Sequence, residues 1–186
     1  MKKSEKTSEQ SGTSGKPRSE RTHPRISIRP MKEHELSGAV EAVREIPLLR
    51  RYRISRDRLF ETLLQGIQSP DRLLSAAWVG EPGKEHFAGF ALFASRGTFL
   101  MGGYLKLLVT APGFEGLGIG RSLLAAMEDL VAKESREMFL LVSDFNIPAQ
   151  RFYERNGYRK AGALPGLVLK DVSEYLYWKR LKPGNK

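Results

Sequence analysis

The sequence predicts a single α/β domain of the α+β kind, built on a mixed sheet. Short stretches of alternating or continuous apolar residues, which read as strands, are interleaved with segments whose apolar residues recur at helical spacing. The order of these segments is β-αα-βββ-α-β-α-ββ, without an internal repeat, and a doubly wound parallel sheet would not show that order. The length, 186 residues, suits one core.

Residues 1–24 contain one apolar residue, Met1, with six basic and three acidic residues. Such a segment cannot bury enough surface to offset its ordering entropy, so it is expected to be a disordered basic tail. It has no apolar stretch of the secretory kind, and its glutamates argue against a mitochondrial presequence. A cytoplasmic protein is the expectation. The ordered domain is expected over 25–182, with a short tail at 183–186.

Ile26 and Ile28 alternate with Ser27 and Arg29 as a first strand, ended by Pro30. Lys32 to Glu45 spaces Leu36, Ala39, Val40 and Val43 as a helix, which Pro47 stops. Ser55 is a capping residue for a second helix, with Asp57 in its first turn and Leu59, Phe60, Leu63, Leu64 and Ile67 as its apolar stripe. Leu73 to Val79 and Phe87 to Ser95 read as a hairpin around Glu81-Pro82-Gly83-Lys84. After a loop at Gly97, Tyr104 to Thr110 is a nearly continuous apolar run, as a central strand would be. A long helix follows, with Ile119, Leu123, Met127, Leu130 and Val131 on one face. Met138 to Val142 is a buried strand. Asn146 and Pro148 open a further helix, which Gly157 closes. Tyr158 to Ala161 and Glu174 to Leu181 are the last strands.

Composition removes several chemistries. The chain has no cysteine, which excludes disulfides, thiolate metal sites and a cysteine nucleophile. Three scattered histidines do not make a zinc cluster, and no metal is expected. No G-x-S-x-G turn supports a serine hydrolase. No apolar run approaches the roughly 20 residues of a membrane span. The net charge of +10 fits either a solvated basic surface or an anionic partner.

The most informative stretch is LVTAPGFEGLGIGRSLL, Leu108 to Leu124. A strand runs through a loop holding Gly113, Gly116, Gly118 and Gly120 directly into an amphipathic helix. Glycines leave backbone amides unshielded, and a helix N-terminus adds unpaired N–H donors and the positive end of its dipole. Together Gly116, Leu117, Gly118, Ile119, Gly120 and Arg121 make an anion site suited to phosphate or pyrophosphate. It is not a P-loop, because a first glycine would fall at Glu115 and Lys is absent. Nor is it a dinucleotide fingerprint, whose third glycine would fall at Arg121 or Leu123.

This run resembles the acetyl-coenzyme A motif of the GNAT N-acetyltransferases, [QR]-x-x-G-x-[GA]. Gly118 and Gly120 match it, whereas Glu115 stands at the usual Gln/Arg place. Downstream, Asn146-x-x-Ala149-x-x-Phe152-Tyr153-x-x-x-Gly157-Tyr158 is similar to the family's N-x-x-A-x-x-[FL]-Y-x-x-x-G-[FY] segment.

The resemblance implies the GNAT fold, with the strands at Tyr104–Thr110 and Met138–Val142 splayed for the cofactor. It implies an acyltransferase that moves an acetyl group from acetyl-CoA, as co-substrate, to a primary amine by direct attack in a ternary complex. The pantetheine arm would pair with Leu108, Val109 and Thr110. The pyrophosphate would sit on the amides of Gly116 to Arg121. Asn146, Ala149 and Phe152 would flank the cofactor, and Tyr153 would protonate the departing thiolate. Relatives often carry a Glu where this chain has Leu141, so the general base is open between Asp144, Glu174 and water, each carboxylate being otherwise expected as a surface or binding group. Relatives vary most in segments corresponding here to Leu48–Asp57 and Ala163–Ser173. The acceptor is open between a carboxylate-bearing amine, read by Arg50, Arg51, Arg53 and Arg56 around Tyr52, and an apolar amine held by Leu164, Leu167 and Val168. Two other readings stand beside the enzyme: a CoA-binding sensor without turnover, and a basic nucleic-acid-binding module, which lacks any supporting motif. A homodimer is open; no membrane partner is expected.

Overall fold

In this computed structural model, which describes residues 25–98 and 102–182, seven strands form one sheet in the order β1-β2-β3-β4-β5-β7-β6. The strands are β1 (Ile26–Pro30), β2 (Arg72–Val79), β3 (His86–Thr98), β4 (Gly102–Thr110), β5 (Glu137–Ser143), β6 (Arg159–Pro165) and β7 (Ser173–Arg180). The helices are α1 (Leu36–Val43), α2 (Pro47–Arg51), α3 (Arg56–Gln68), α4 (Ile119–Val131) and α5 (Ile147–Arg155), with a 3-10 turn at Glu33–Glu35 ahead of α1. Neighbouring strands are antiparallel except β4 and β5, so the sheet is mixed, as predicted.

Alternation along the central strands creates two cores. Ala76, Phe90 and Leu92 pack on the side of α1 and α3, whereas Ala77, Ala91 and Phe93 pack on the side of α4. In the apolar stripe of α4, Leu123 and Met127 are 0% exposed. Truncating either to alanine would cost about 2–5 kcal/mol. Local chemistry fixes the helix ends. Ser55 Oγ accepts the Arg58 amide at 3.2 Å, and Asn146 Oδ1 accepts the Ala149 amide at 3.3 Å. Gly157, at φ +87°, ends α5.

Three elements differ from the sequence reading. Pro47 ends the first helix but also opens α2, because its preset φ suits a first helical position. β3 runs through Gly97 to Thr98, which pairs with Gly102, so the loop expected at Gly97 is strand. β6 continues to Pro165, with Ala163 and Leu164 opposite Tyr175 and Glu174, so the final loop is shorter than expected. β6 lies at the sheet edge with every residue exposed, and no burial alternation marked it in the sequence. The tails expected at 1–24 and 183–186 lie outside the described residues.

One irregularity prepares the site. On β3, Leu92 pairs with Leu107 and Phe93 with Leu105, which leaves Lys106 as an extra residue in β4. Such a bulge bends its strand. β4 and β5 pair only from Gly103–Leu105 to Met138–Leu140 and then part, β4 staying with β3 and β5 with β7. The splay expected of the central strands is present.

Candidate active site between the parting strands

The gap left by the two strands is a cavity of about 220 Å³. One wall is β4 from Tyr104 to Val109; the other is β5 from Leu141 to Ser143, continued by Asn146, Ala149 and Tyr153 of α5 and its cap. Leu48, Leu49, Tyr52 and Ile54 cover it from the α2 side, and Val168 and Glu174 close the far end. Beyond Val109 the cleft gives way to a groove lined by Thr110, the glycine loop, Arg121, Phe152 and Arg155. The residues singled out in the sequence therefore fall into two adjacent sets. Leu108, Val109, Asn146, Ala149 and Tyr153 line the inner cavity. Thr110, Gly116, Gly118, Ile119, Gly120, Arg121 and Phe152 line the groove. Leu117 lines neither and is 42% exposed.

The groove is built from backbone. Gly116 and Gly118 have φ of +76° and +83°, a region that non-glycine residues occupy at a cost. A Cβ placed on either would meet no atom within 4 Å, so the corner is open rather than filled by side chains. Ser122 donates to the Gly118 carbonyl at 2.9 Å, the first bond of α4. The amides of residues 116–121 donate to no acceptor among the described residues. These are the unpaired donors of a helix N-terminus, with Arg121 and Arg155 beside them. Glu115 turns inward on its own loop: its carboxylate accepts the Gly113 amide at 2.8 Å.

The inner cavity is built from side chains. The Tyr153 ring stands edge-on to Phe152 and Tyr158, with centroids 5.1 and 5.6 Å away. Burial, then the neighbouring Tyr104 phenol, pushes the Tyr153 hydroxyl well above an ordinary tyrosine, so it keeps its proton at neutral pH. Of the surface and binding alternatives for Glu174, its burial removes the first. It is 4% exposed and accepts the Tyr52 hydroxyl. It makes no ion pair among the described residues. Asp144 is also not free: it accepts the Ser173 amide at 3.0 Å and so ties the β5 exit to β7. Tyr52 also meets Ser143 Oγ at 2.5 Å. Its pKa is pushed up to about 12, mainly by burial and then by the bond to Glu174. Nothing in the linear sequence linked Tyr52, Ser143 and Glu174.

None of the four arginines around Tyr52 lines the cavity. Arg56 pairs with Glu41 at 2.6 Å, Arg50 with Glu45 at 3.7 Å, and Arg51 lies 4.0 Å from the centre of the Phe145 ring. Of the three apolar residues expected around the acceptor, Val168 lines the cavity while Leu164 and Leu167 are exposed.

A family model described as Acetyltransferase (GNAT) family matches residues 40–158, well over half of the chain. No curated protein sequence matches. Among solved structures, Arabidopsis thaliana NAA60 in complex with a bisubstrate analogue superposes with a TM-score of 0.68 at 19% identity, over 85% of this chain and 100% of that one. Spermidine N-acetyltransferase from Vibrio cholerae, in complex with CoA and spermine, gives a TM-score of 0.67 at 15% identity, over 85% and 96% of the two chains. PaiA N-acetyltransferase from Thermoplasma acidophilum, in complex with coenzyme A, gives a TM-score of 0.64 at 21% identity, over 84% and 99%. At these identities the likeness is one of fold.

Proposed function

The chain belongs to the GNAT acetyltransferase family, and from that premise we propose that it transfers the acetyl group of acetyl-CoA to a primary amine, by direct attack in a ternary complex. The observation that carries this reading is the open corner at residues 116–121, where unpaired amides meet a cleft between two parting strands. A diphosphate matches those donors, with Arg121 and Arg155 as flanking cations. The edge of β4 at Leu108, Val109 and Thr110 has lost β5 as a partner and offers backbone groups to the amides of the pantetheine arm. Asn146, Ala149 and Phe152 flank that path, and Asn146 also caps α5.

When bound, acetyl-CoA supplies an activated thioester carbonyl. This chain's residues supply position and proton traffic. Tyr153, buried and protonated, donates its proton to the sulfur that leaves. Glu174 attracts the acceptor's ammonium into the cavity and takes up the proton that the nitrogen must lose. Leu48, Leu49, Ile54 and Val168 give the acceptor an apolar path to that carboxylate. An amine on an apolar or cationic chain suits the apolar lining and the Glu174 carboxylate; Arg50, Arg51, Arg53 and Arg56 stay off the lining, which holds Lys106 as its cation. The Vibrio cholerae neighbour, whose structure holds the polyamine spermine, supports the same class.

The test is release of free thiol from acetyl-CoA across a panel of n-alkylamines, spermidine and peptides with free N-termini. Turnover with at least one amine, weakest with amino acids, is expected. Coenzyme A binding with no turnover on any amine would favour the sensor reading instead.

A further inference from the structure

We infer that Tyr52 is a positioning residue that holds the Glu174 carboxylate in the orientation the acceptor nitrogen requires. The inference rests on the amine acetyltransferase reading and adds a device to it.

The geometry is a relay across three distant parts of the chain. The single phenolic proton of Tyr52 goes to Glu174, so the Ser143 hydroxyl, 2.5 Å away, must donate to the Tyr52 oxygen. Ser143 is itself 4% exposed on the last residue of β5. Glu174 lies opposite it on β7, since the register pairs the two residues. Tyr52 therefore ties the segment after α2 to the place where β5 and β7 run together.

That segment is built to deliver the ring. After α2 the Ile54 amide bonds back to the Leu49 carbonyl and the Arg53 amide to the Arg50 carbonyl, at 2.9 and 3.0 Å. This closure places Arg53 at φ +52°, a left-handed conformation that strains a non-glycine residue. Arg51 over the Phe145 ring, and the Tyr52–Phe145 ring contact at 6.2 Å, pin the same segment to the β5–α5 connection. Strained backbone with several anchors, turning one side chain onto a buried carboxylate, suits a positioning role better than chance packing.

Glu174 without Tyr52 would be a buried carboxylate free to turn toward the Asp144 side or the cavity wall. Tyr52 from the α2 segment and Tyr104 from β4 feel its charge directly, Tyr153 of α5 lines the same cavity, and Asp144 follows its β5 partner Ser143, whereas Lys106 on the cavity lining has Arg72 and Arg58 as its charged neighbours. Burial and then the nearby Glu174 raise Tyr104, and burial with Arg72 and Arg58 lowers Lys106.

Two measurements test the inference. The first needs no substrate: tyrosine ring carbons, labelled and assigned by NMR, are titrated with pH in the wild type and in Glu174→Gln. Tyr52 is expected to ionise at distinctly lower pH once its carboxylate partner is neutral; identical titrations would overturn the inference. The second uses n-hexylamine and spermidine with acetyl-CoA. Tyr52→Phe should lower kcat/KM for the amine about tenfold, the effect of one hydrogen bond to a charged group, and move the acid limb of the pH profile upward, while calorimetric affinity for coenzyme A stays unchanged. In the Glu174→Gln background Tyr52→Phe should have no further effect. An equal loss in both backgrounds, or an unmoved profile, would show that Tyr52 merely packs. A wild type inactive on every amine would sink the parent reading, and the tyrosine titration would still decide whether the Tyr52–Glu174 bond exists.

Discussion

The corner at Gly116–Arg121 and the wall at Tyr52, Ser143 and Glu174 face the same cleft but are made of opposite materials. The corner is main chain. Its donors are amides, its glycines keep side chains away, and all of it lies within one short stretch of sequence. The wall is side chain. Its hydrogen bonds join residues 91 and 122 positions apart, and its charge has no ionic partner among the described residues. A backbone site suits a ligand whose recognition stays constant, because substitutions away from its few glycines leave the amides in place. A side-chain site suits the partner that differs, because a single substitution rewrites it.

Damage at the corner should have the largest effect. Gly118→Val puts a β-branched residue at φ +83° and a side chain in the open groove. Coenzyme A binding by calorimetry should be lost, and stability should fall by about 1–2 kcal/mol from the left-handed backbone alone. Retained binding would mean that these amides do not hold the cofactor.

Damage deeper in the cleft should separate binding from turnover. Tyr153→Phe should lower kcat about 100-fold, as expected when a positioned acid is removed, and leave coenzyme A affinity intact. Glu174→Gln should act on the acceptor side, lowering kcat/KM for the amine by about ten- to a hundredfold with unchanged affinity for coenzyme A. If either variant instead weakened coenzyme A and left turnover alone, the division of labour between corner and wall would be wrong.

What the sequence revealed follows the same division. The corner was legible because phosphate binding by backbone leaves a linear trace: glycines, then a helix start. The α5 cap at Asn146 and its glycine exit were legible for the same reason, since caps and exits are local. Tyr52 and Ser143 were not, because no periodicity marks two residues that meet only when β5, β7 and the α2 segment converge. Glu174 stood out as a carboxylate, but its burial depends on where Tyr52 lands. The extension of the edge strand β6 to Pro165 and the bulge at Lys106 were likewise set by pairing partners rather than by their own residues.

A smaller effect sharpens the contrast from the corner's side. Glu115 puts a carboxylate into a groove otherwise suited to anions, where it bonds the Gly113 amide. Glu115→Gln keeps an acceptor for that amide and removes the charge. Coenzyme A affinity should improve by about two- to fivefold, the scale of one exposed charge interaction, and the gain should shrink at high salt.

The smallest effect concerns the wall's phenols. Tyr52 is raised to about 12 in the folded protein, and Tyr153 is raised as well, mainly by burial in both cases. Folded-state values above the unfolded one stabilise the protein fully below about pH 10, the ordinary tyrosine value. That contribution should be lost as pH rises from about 10 through 12, so thermal melts should hold steady up to pH 10 and then decline. In Tyr52→Phe the alkaline decline should be shallower.

Under the proposed function, main-chain amides at residues 116–121 take the diphosphate of acetyl-CoA. Titrating coenzyme A into 15N-labelled protein reads those amides directly. Saturable downfield shifts are expected at Gly116, Gly118 and Gly120, reproduced in part by 3′,5′-adenosine diphosphate and absent with pantetheine alone. Saturable binding that shifts other amides and leaves these three unmoved would contradict it.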